Sequence, residues 1–382
     1  MKTVAFFVRH FTERGTEIST YNYAHFNEKI LGNKSIIIAY KGPEKKNKKP
    51  FINITREIFK KRFEIIEIKK IEEMSQIIKQ KEISFCYIQS HGTLRDYYKL
   101  SNKKIWGECI TTYHYVFGPM IRQGSSNRCV LGDDLNRRFF KKIPVLPYIV
   151  EEFKFFGNLR DNLKIPENAF VYGRYGGYET FDIEFVHSCI KEILLKRKDI
   201  YFLFLNTKEF YRHENIIYLE RNTSNEYKSK FISSCDAMIH ARKDGETFGL
   251  AVAEFSSANK PIITYKKSID KEHIRILNKK GIYFKNKDEL KRIFQNLKKE
   301  KIINKEWNAY KQYLPYKVMK IFKKLCLSKV NKSNKDIIFE FLSDLPWEIN
   351  NILKIIINIV YVFLMKLIPP VLKTQVKKIL KV

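Results

Sequence analysis

Short apolar runs alternate with longer segments of helical spacing along most of this chain. The runs are apolar throughout, as in strands that are covered on both faces, and the segments between them have the periodicity of helices. Strands of this kind belong in parallel sheets with helices on both sides. Because the alternation occurs as two series, the sequence predicts an α/β fold with two doubly wound, Rossmann-like domains facing each other across a cleft.

The strand candidates of the first series are Thr3–Val8, Ser35–Ala39, Glu64–Glu67, Phe85–Gln89, Glu108–Tyr113 and Arg128–Leu131. Those of the second series are Phe170–Gly173, Ile200–Leu205, Ile216–Leu219, Ala237–His240, Pro261–Thr264 and Gly281–Phe284. The helix candidates include Glu17–Leu31, Ile71–Gln80, Ile183–Lys196, Glu226–Ser234 and Lys287–Lys299. Ligands of open parallel sheets bind beyond the carboxyl ends of the strands, so we expect the functional site in the cleft.

The length of 382 residues suits two domains. The stretch from Lys142 to Ile149 contains two prolines and is the best candidate for the connection between them. We therefore expect a first domain at residues 1–145 and a second at residues 146–315. Residues 316–382 differ from both domains in composition, and we expect them to form a basic, apolar, helical tail.

The composition favours packed cores, since 44% of the residues are hydrophobic and 14% are aromatic. The six cysteines stand singly, without a C-x-x-C pair, so neither a structural zinc nor a redox motif is indicated. Single cysteines of this kind are typical of reduced core residues and predict a cytoplasmic protein.

The formal net charge of +31 has two explanations. Lysine, isoleucine and asparagine are abundant throughout, so a compositional bias accounts for part of the charge. Attraction to a polyanion, such as nucleotide phosphates or an anionic membrane surface, is the functional explanation. The basic residues form no zinc finger, basic zipper or RNA-recognition signature, so nucleic acid is not an expected partner.

Glu246 and Glu254 stand eight residues apart, the first after a glycine and the second inside a helix-forming run. A helix that begins near Phe248 leaves the amides of Phe248, Gly249 and Leu250 without internal acceptors. Those amides and the positive helix end suit a diphosphate. Glu246 would then lie beside a sugar that extends from the phosphates, and Glu254 could accept hydrogen bonds from ribose hydroxyls.

This run, with the small residues and the Pro-Ile-Ile strand that follow it, resembles the E-x7-E signature of retaining GT-B glycosyltransferases of family 4. The resemblance covers residues 1–315 and implies transfer of a sugar from a nucleoside-diphosphate sugar to an acceptor hydroxyl. It assigns the donor sugar to Glu246, the ribose to Glu254 and the phosphates to the amides between them. It also places the donor in the second domain and the acceptor on the side of the first.

The same resemblance implies further contacts at the start of the first helix. Family 4 enzymes carry a glycine-rich loop there, with its amides next to the donor phosphate. Gly15 and Thr16 occupy this position, Gly15 allowing close approach of a ligand and Thr16 being a good N-cap. The chain has a single glycine here rather than a pair, so the match is partial.

His114 follows a predicted strand and resembles the family histidine that lines the cleft and helps to place the acceptor. His91 also ends a strand and is the competing candidate. Arg174 resembles the arginine of the family's Gly-Arg turn, whose planar guanidinium fits phosphate oxygens. The lysine that normally follows it is missing, and the cations ahead of Glu246, Arg242 among them, could supply its charge.

No D-x-D motif stands between the strands, so we expect catalysis without a metal ion, and the nucleotide sugar acts as a substrate rather than a cofactor. Asp270 and Glu272 show no arrangement beyond local charge balance. Two alternatives to glycosyl transfer stay open: an enzyme resembling nucleotide-sugar epimerases on the same fold, and a catalytically silent protein that binds sugars or membranes.

The tail contains an apolar stretch with lysines at residues 349–368. It is compatible with an interfacial helix on an anionic membrane, with a membrane span, or with a helix packed on the protein. The interfacial helix predicts a peripheral protein on the cytoplasmic face of a membrane. A lipid-linked or surface-glycan acceptor fits this expectation.

Overall fold

A computed structural model describes residues 1–9, 11, 15–40, 54–89, 103–118, 126–139, 142–222, 224–329 and 356. Within this part, the chain forms two six-stranded parallel sheets and one small two-stranded sheet.

The first sheet has the order β3-β2-β1-β4-β5-β6, with all neighbouring strands parallel. Its strands are β1 (Thr3–Val8), β2 (Lys34–Tyr40), β3 (Glu64–Ile68), β4 (Ile83–Gln89), β5 (Ile110–Tyr115) and β6 (Asn127–Val130). Its helices are α1 (Gly15–Lys29), α2 (Ile54–Arg62), α3 (Met74–Gln80) and α4 (Lys103–Trp106), with 3₁₀ helices at Ile71–Glu73 and Asp133–Arg138.

The second sheet has the order β14-β12-β10-β7-β8-β9 and is also parallel. The strands of this half are β7 (Phe170–Tyr175), β8 (Ile200–Leu205), β9 (Ile216–Leu219), β10 (Ala237–His240), β11 (Gly245–Glu246), β12 (Ile262–Tyr265), β13 (Asp270–Lys271) and β14 (Gly281–Phe284). The helices are α5 (Glu184–Lys196), α6 (Asn225–Ser234), α7 (Leu250–Ser257), α8 (Glu272–Leu277), α9 (Lys287–Asn296) and α10 (Pro315–Cys326). Strands β11 and β13 pair with each other in the small parallel sheet.

Both large sheets follow the same plan, because the strand that comes first in each series lies beside the fourth. This order is that of a doubly wound fold, and it reverses between β1 and β4 in one sheet and between β7 and β10 in the other. The prediction of two doubly wound domains is confirmed. Each strand candidate coincides with a strand, because apolar residues on both faces suit only positions that helices cover.

Helix α10 returns from the second domain and packs against the first. The Phe322 ring lies 6.0 Å from the ring of Phe6 and 5.3 Å from that of Tyr23, measured between centroids. The side-chain amide of Asn127 donates to the carbonyl of Leu325 at 3.0 Å. The beginning of the segment that the sequence assigns to the tail is therefore a helix that covers the first domain.

No helix among the described residues is long and apolar enough to cross a membrane. The predicted apolar stretch at residues 349–368 lies outside the described residues, apart from Ile356. The six cysteines are free thiols, and all six are buried, as the sequence predicts.

Candidate functional site

The sequence motif lies where the strand order of the second sheet reverses. The loops that leave β7 and β10 diverge at this point and open a crevice between them. The loop after β7 contains Gly176 and Gly177, and the segment after β10 contains Arg242 and Glu246 before it reaches α7. The topology thus brings the two predicted phosphate and sugar segments to the same edge of the sheet.

The two domains approach each other closely at the beginnings of α1 and α7. A Cβ atom on Gly15 would stand 3.2 Å from Leu250 Cδ1 and 3.8 Å from Tyr148 Cε2. The beginnings of both helices, which favour an anion, therefore lie close together where the two domains meet. This is the position that the sequence predicts for Gly15.

Thr16 is not the N-cap that the sequence predicts, because α1 already includes Gly15 and Thr16 is its second residue. The Thr16 hydroxyl donates to Glu17 Oε2 at 2.7 Å instead of accepting from a backbone amide. The side chain of Thr16 is 8% exposed, which leaves little of its surface for a ligand.

Helix α7 begins at Leu250, two residues later than expected, because Gly249 takes the left-handed conformation with φ 84°. A Cβ at Gly249 would lie 3.3 Å from Cβ and Cγ of Glu246, so glycine is needed for both the backbone angle and the close approach. Within the described part of the chain, the amides of Phe248, Gly249 and Leu250 form no hydrogen bond. They lie free at the helix end, and their contact with a donor phosphate stays a prediction.

Glu254 lies in α7, one turn beyond these amides. Its Oε1 accepts from the ammonium of Lys228 at 3.2 Å. Although the side chain as a whole is 31% exposed, Oε2 is buried and has no hydrogen-bond partner among the described residues. A buried carboxylate oxygen without a partner is costly, so this atom is suited to accept from a ligand.

Burial raises the pKa of Glu254 to about 8, and the nearby charge of Glu151 acts in the same direction. Burial also lowers the pKa of Lys228. Both shifts favour the neutral forms of the ion-pair partners. Hydroxyl groups that donate to the Glu254 carboxylate would favour its ionised form.

Glu246 has the opposite electrostatic environment. Its Oε1 accepts from Arg242 Nη1 at 3.0 Å and lies 3.4 Å from His240 Nε2. Burial acts to raise the pKa of Glu246, but the hydrogen bond with His240 and the charge of Arg242 prevail and lower it to about 2. His240 is held in turn by the Thr264 hydroxyl, 2.9 Å from Nδ1. Glu246 is therefore an ionised, fixed hydrogen-bond acceptor.

Arg174 is the next-to-last residue of β7, and its guanidinium already has several partners. It donates to the Gly177 carbonyl at 2.8 Å, to the Thr180 hydroxyl at 2.7 Å, to the Asn206 carbonyl at 3.3 Å and to the Thr207 hydroxyl. The residue is 3% exposed, and burial lowers the pKa of Arg174 to about 10. It holds the glycine loop in shape, and its contact with a donor phosphate stays a prediction.

The structure corrects the expected position of His114, which does not line the open cleft. The residue has no exposed surface, and the rings of Tyr23, Tyr87 and Tyr148 lie around it. Its Nδ1 lies 2.5 Å from the Tyr87 hydroxyl, and its ring lies 6.2 Å from that of Tyr148. Burial lowers the pKa of His114 to about 3, so the ring is neutral. The competitor His91 lies outside the described residues.

Two contacts of the site were not predicted. Lys228 reaches Glu254 from α6, and Tyr148 lies between the domains with its ring 5.5 Å from that of Phe248. Burial raises the pKa of Tyr148, and the charges of Glu17 and Glu246 act in the same direction. No spacing in the sequence links these residues to the motif, because each comes from a separate element.

No three His, Cys, Asp or Glu side chains come together among the described residues as a metal site requires. Metal-independent catalysis nevertheless stays a prediction.

No protein-family model and no curated protein matches this sequence. Solved structures resemble its fold. A glycosyltransferase from Rickettsia africae ESF-5 gives a TM-score of 0.64 at 14% identity, covering 85% of this chain and 98% of that chain. HepE from Anabaena, in complex with UDP and glucose, gives a TM-score of 0.64 at 9% identity, covering 85% of this chain and 99% of that chain.

WaaG, a glycosyltransferase involved in lipopolysaccharide biosynthesis, gives a TM-score of 0.54 at 11% identity, covering 84% of this chain and 99% of that chain. At such identities the likeness establishes the fold. The protein has the GT-B architecture, in which two Rossmann-like domains face each other across a cleft.

We predict that Glu254 makes the stability of the protein depend on pH. Its pKa in the folded protein, about 8, lies above the ordinary glutamate value of 4.5. The stabilisation that follows is complete below the unfolded-state pKa and is lost as the pH rises through about 8. The Tm of the wild type should therefore fall more steeply between about pH 5 and about pH 9 than that of Glu254→Gln.

Glu179→Gln is the matched control, since that side chain is 74% exposed. Its Tm should follow the wild-type pH dependence. Parallel curves for wild type and Glu254→Gln would contradict the prediction.

Proposed function

We propose that this protein is a retaining glycosyltransferase that moves a sugar from a nucleoside-diphosphate sugar to an acceptor hydroxyl. The observation that carries the proposal is the buried Oε2 of Glu254, which lacks a hydrogen-bond partner among the described residues. It lies one turn beyond the free amides at the start of α7. A carboxylate acceptor beside a helix N-terminus matches the adjoining ribose and diphosphate of such a donor in chemistry and in order.

The donor that we test first is a UDP-sugar. HepE from Anabaena, which shares this fold at 10% identity, has been solved in complex with UDP-glucose. The same protein has also been solved with UDP and glucose together. The likeness is one of fold, so the base and the sugar of this protein's own donor are part of the proposal.

In the proposed complex, Glu254 binds the ribose and Glu246 binds hydroxyls of the donor sugar. The amides of Phe248, Gly249 and Leu250 and the beginning of α1 at Gly15 bind the diphosphate. Charge that develops on the departing diphosphate is stabilised by these fixed donors and helix ends, without a metal ion.

The positive charge that the family lysine would supply comes, in this proposal, from Arg242. The guanidinium of Arg174 already donates four hydrogen bonds, to Gly177 and Thr180 in the loop after β7 and to Asn206 and Thr207. Arg242 is 29% exposed, and its Nε is buried without a hydrogen-bond partner among the described residues. It is therefore the better placed of the two guanidinium groups to gain a contact with the donor.

Positioning and electrostatics are the protein's main contributions to the proposed reaction. The departing diphosphate accepts the proton of the acceptor hydroxyl, and the acceptor attacks from the side of the diphosphate, so the anomeric configuration is retained. His114 shapes the acceptor side indirectly, through the ring of Tyr148 that covers it. Closure of the two domains excludes water and limits hydrolysis of the donor.

We predict that UDP-sugars stabilise the wild-type protein against heat and that Glu254→Ala abolishes the effect, because the ribose contact is lost. At a ligand concentration of about 100 times Kd the gain is about 2.7 kcal/mol, which corresponds to a Tm shift of several degrees. Thermal shift with a panel of UDP-, GDP- and other nucleotide sugars measures it. Glu226→Ala is the control, since that carboxylate lies on α6 and is 57% exposed.

If no nucleotide sugar stabilises the wild type, the proposal is contradicted and a catalytically silent binding protein is favoured. Equal stabilisation of wild type and Glu254→Ala would show that Glu254 does not bind the ribose.

We predict that Glu246→Gln lowers the rate of sugar transfer about 100-fold while UDP still binds, because the ionised carboxylate interacts with the sugar and not with the nucleotide. The rate of UDP-glucose consumption and the Kd for UDP measure the two effects. NMR of the first product should show the anomeric configuration of the donor. An inverted product would contradict retention, and an epimerised nucleotide sugar without transfer would identify the alternative enzyme class.

We further propose that the acceptor belongs to surface glycan or glycolipid synthesis and that the tail attaches the protein to an anionic membrane. The lysines and apolar residues at 349–368 support this proposal. We predict that deletion of residues 345–382 releases the protein from vesicles that contain anionic lipid, as measured by flotation. A truncated protein that still floats with the vesicles would show that the tail is not the anchor.

A further inference from the structure

Asp270, for which the sequence indicates only local charge balance, pairs with two arginines of the first domain. Nη2 of Arg137 and Nη2 of Arg138 each lie 2.6 Å from Asp270 Oδ1. Both arginines belong to the 3₁₀ helix Asp133–Arg138 of the first domain, whereas Asp270 belongs to β13 of the second. The side chains of Asp270 and Arg138 are 14% and 19% exposed, whereas that of Arg137 is 37% exposed, so the pair with Arg138 is the better shielded from water.

A second set of hydrogen bonds reinforces the same contact. The amide of Lys271 donates to Asp134 Oδ2 at 2.9 Å, and the amide of Asp134 donates to Glu272 Oε2 at 2.8 Å. Glu272 is 1% exposed, and a Cβ on Gly132 would lie 2.5 Å from its Cδ. The two segments therefore fit closely, and we call residues 133–138 together with residues 269–272 the interdomain clamp.

The clamp is joined directly to the strand that carries Glu246. In the small sheet, Gly245 pairs with Asp270 and Glu246 pairs with Lys271. The amide of Asp270 donates to the Asp244 carbonyl at 2.7 Å. Gly245 has a φ of 70°, and a Cβ there would lie 2.0 Å from the Asp270 carbonyl oxygen, so the backbones of the two strands are in close contact beside Glu246.

The nucleotide-binding groups of the proposed site are arranged differently. Glu254, its partner Lys228 and the amides that begin α7 all belong to the second domain. None of them is part of the clamp. The proposed ribose-binding group, Glu254, therefore belongs to α7, whereas the proposed sugar-binding group, Glu246, belongs to the strand that pairs with the clamp.

We propose that the interdomain clamp positions Glu246 for the donor sugar, so that the carboxylate reaches its working place only when the first domain holds β13. Asp270, Arg137 and Arg138 are positioning residues that act through β13 and β11. The inference rests on the proposed role of Glu246 in binding the donor sugar. It adds a link between domain closure and the placement of that carboxylate.

The first test needs no donor. In Asp270→Asn, hydrogen–deuterium exchange should become about tenfold faster in peptides that cover residues 266–275 and 240–250, because the clamp no longer protects the paired strands. Glu209→Gln is the control, since it removes one carboxylate from an exposed ion pair with Arg212 in the same domain. Unchanged exchange in folded Asp270→Asn would overturn the proposal, whatever the function of the protein.

A variant on the other side of the contact keeps the test valid if Asp270→Asn fails to fold. The double change Arg137→Gln and Arg138→Gln should accelerate exchange in the same peptides of the second domain. Combining it with Asp270→Asn should add little, because both remove the same interaction. Additive effects would show that the arginines and Asp270 act separately, which would overturn the proposal.

The second test compares UDP with UDP-glucose. In the clamp variants the Kd for UDP should stay within about twofold of the wild type, while kcat for UDP-glucose consumption falls about tenfold. Equal losses in UDP binding and in turnover would mark the clamp as merely structural and overturn its positioning role. A wild-type protein that binds no UDP and consumes no UDP-glucose would count against the proposed function, and the exchange experiment would still decide on the clamp.

Discussion

The reversal of strand order in each sheet is the constraint on which the rest of the structure depends. Because the first and fourth strands of a series are neighbours, the segments that follow them must diverge, and a crevice opens at the carboxyl ends of the strands. Helix α7 begins at this crevice with amides that its own first turn cannot satisfy. The approach of Gly15 to Leu250 brings the beginning of α1 to the same place. The beginnings of two helices thereby lie close together where the domains meet, and Glu246 precedes and Glu254 follows the beginning of α7.

The two carboxylates are held in contrasting states. The neighbours of Glu246 lower its pKa to about 2, whereas burial raises that of Glu254 to about 8. Groups of the same type whose environments separate their pKa values are typical of functional sites. Glu246 is an ionised hydrogen-bond acceptor held by Arg242 and His240. Glu254 has a buried oxygen that a hydroxyl donor would stabilise. This difference fits a ligand that is a sugar at one end and a nucleotide at the other.

The sequence predicted the two sheets because strands depend on local patterns, and the roles of Glu246 and Glu254 stay predictions. Segments that are apolar on both faces fit few positions other than strands covered by helices. The spacing of Glu246 and Glu254 does not depend on the exact residue at which α7 begins. The error in that start comes from the left-handed backbone of Gly249, which permits the close approach of Glu246. The burial of His114 could not be predicted, because it depends on tyrosines from other elements. The same holds for the partners of Asp270, which lie more than one hundred residues earlier in the chain and meet it only once both domains have folded.

A crystal structure from crystals soaked with UDP is the most direct test of the claim that the beginning of α7 and Glu254 bind the nucleotide. The account predicts that phosphate oxygens lie about 3 Å from the amides of Phe248, Gly249 and Leu250 and that ribose hydroxyls donate to Glu254 Oε2 at a similar distance. UDP bound elsewhere, or bound in the cleft while that oxygen keeps no partner, would contradict it.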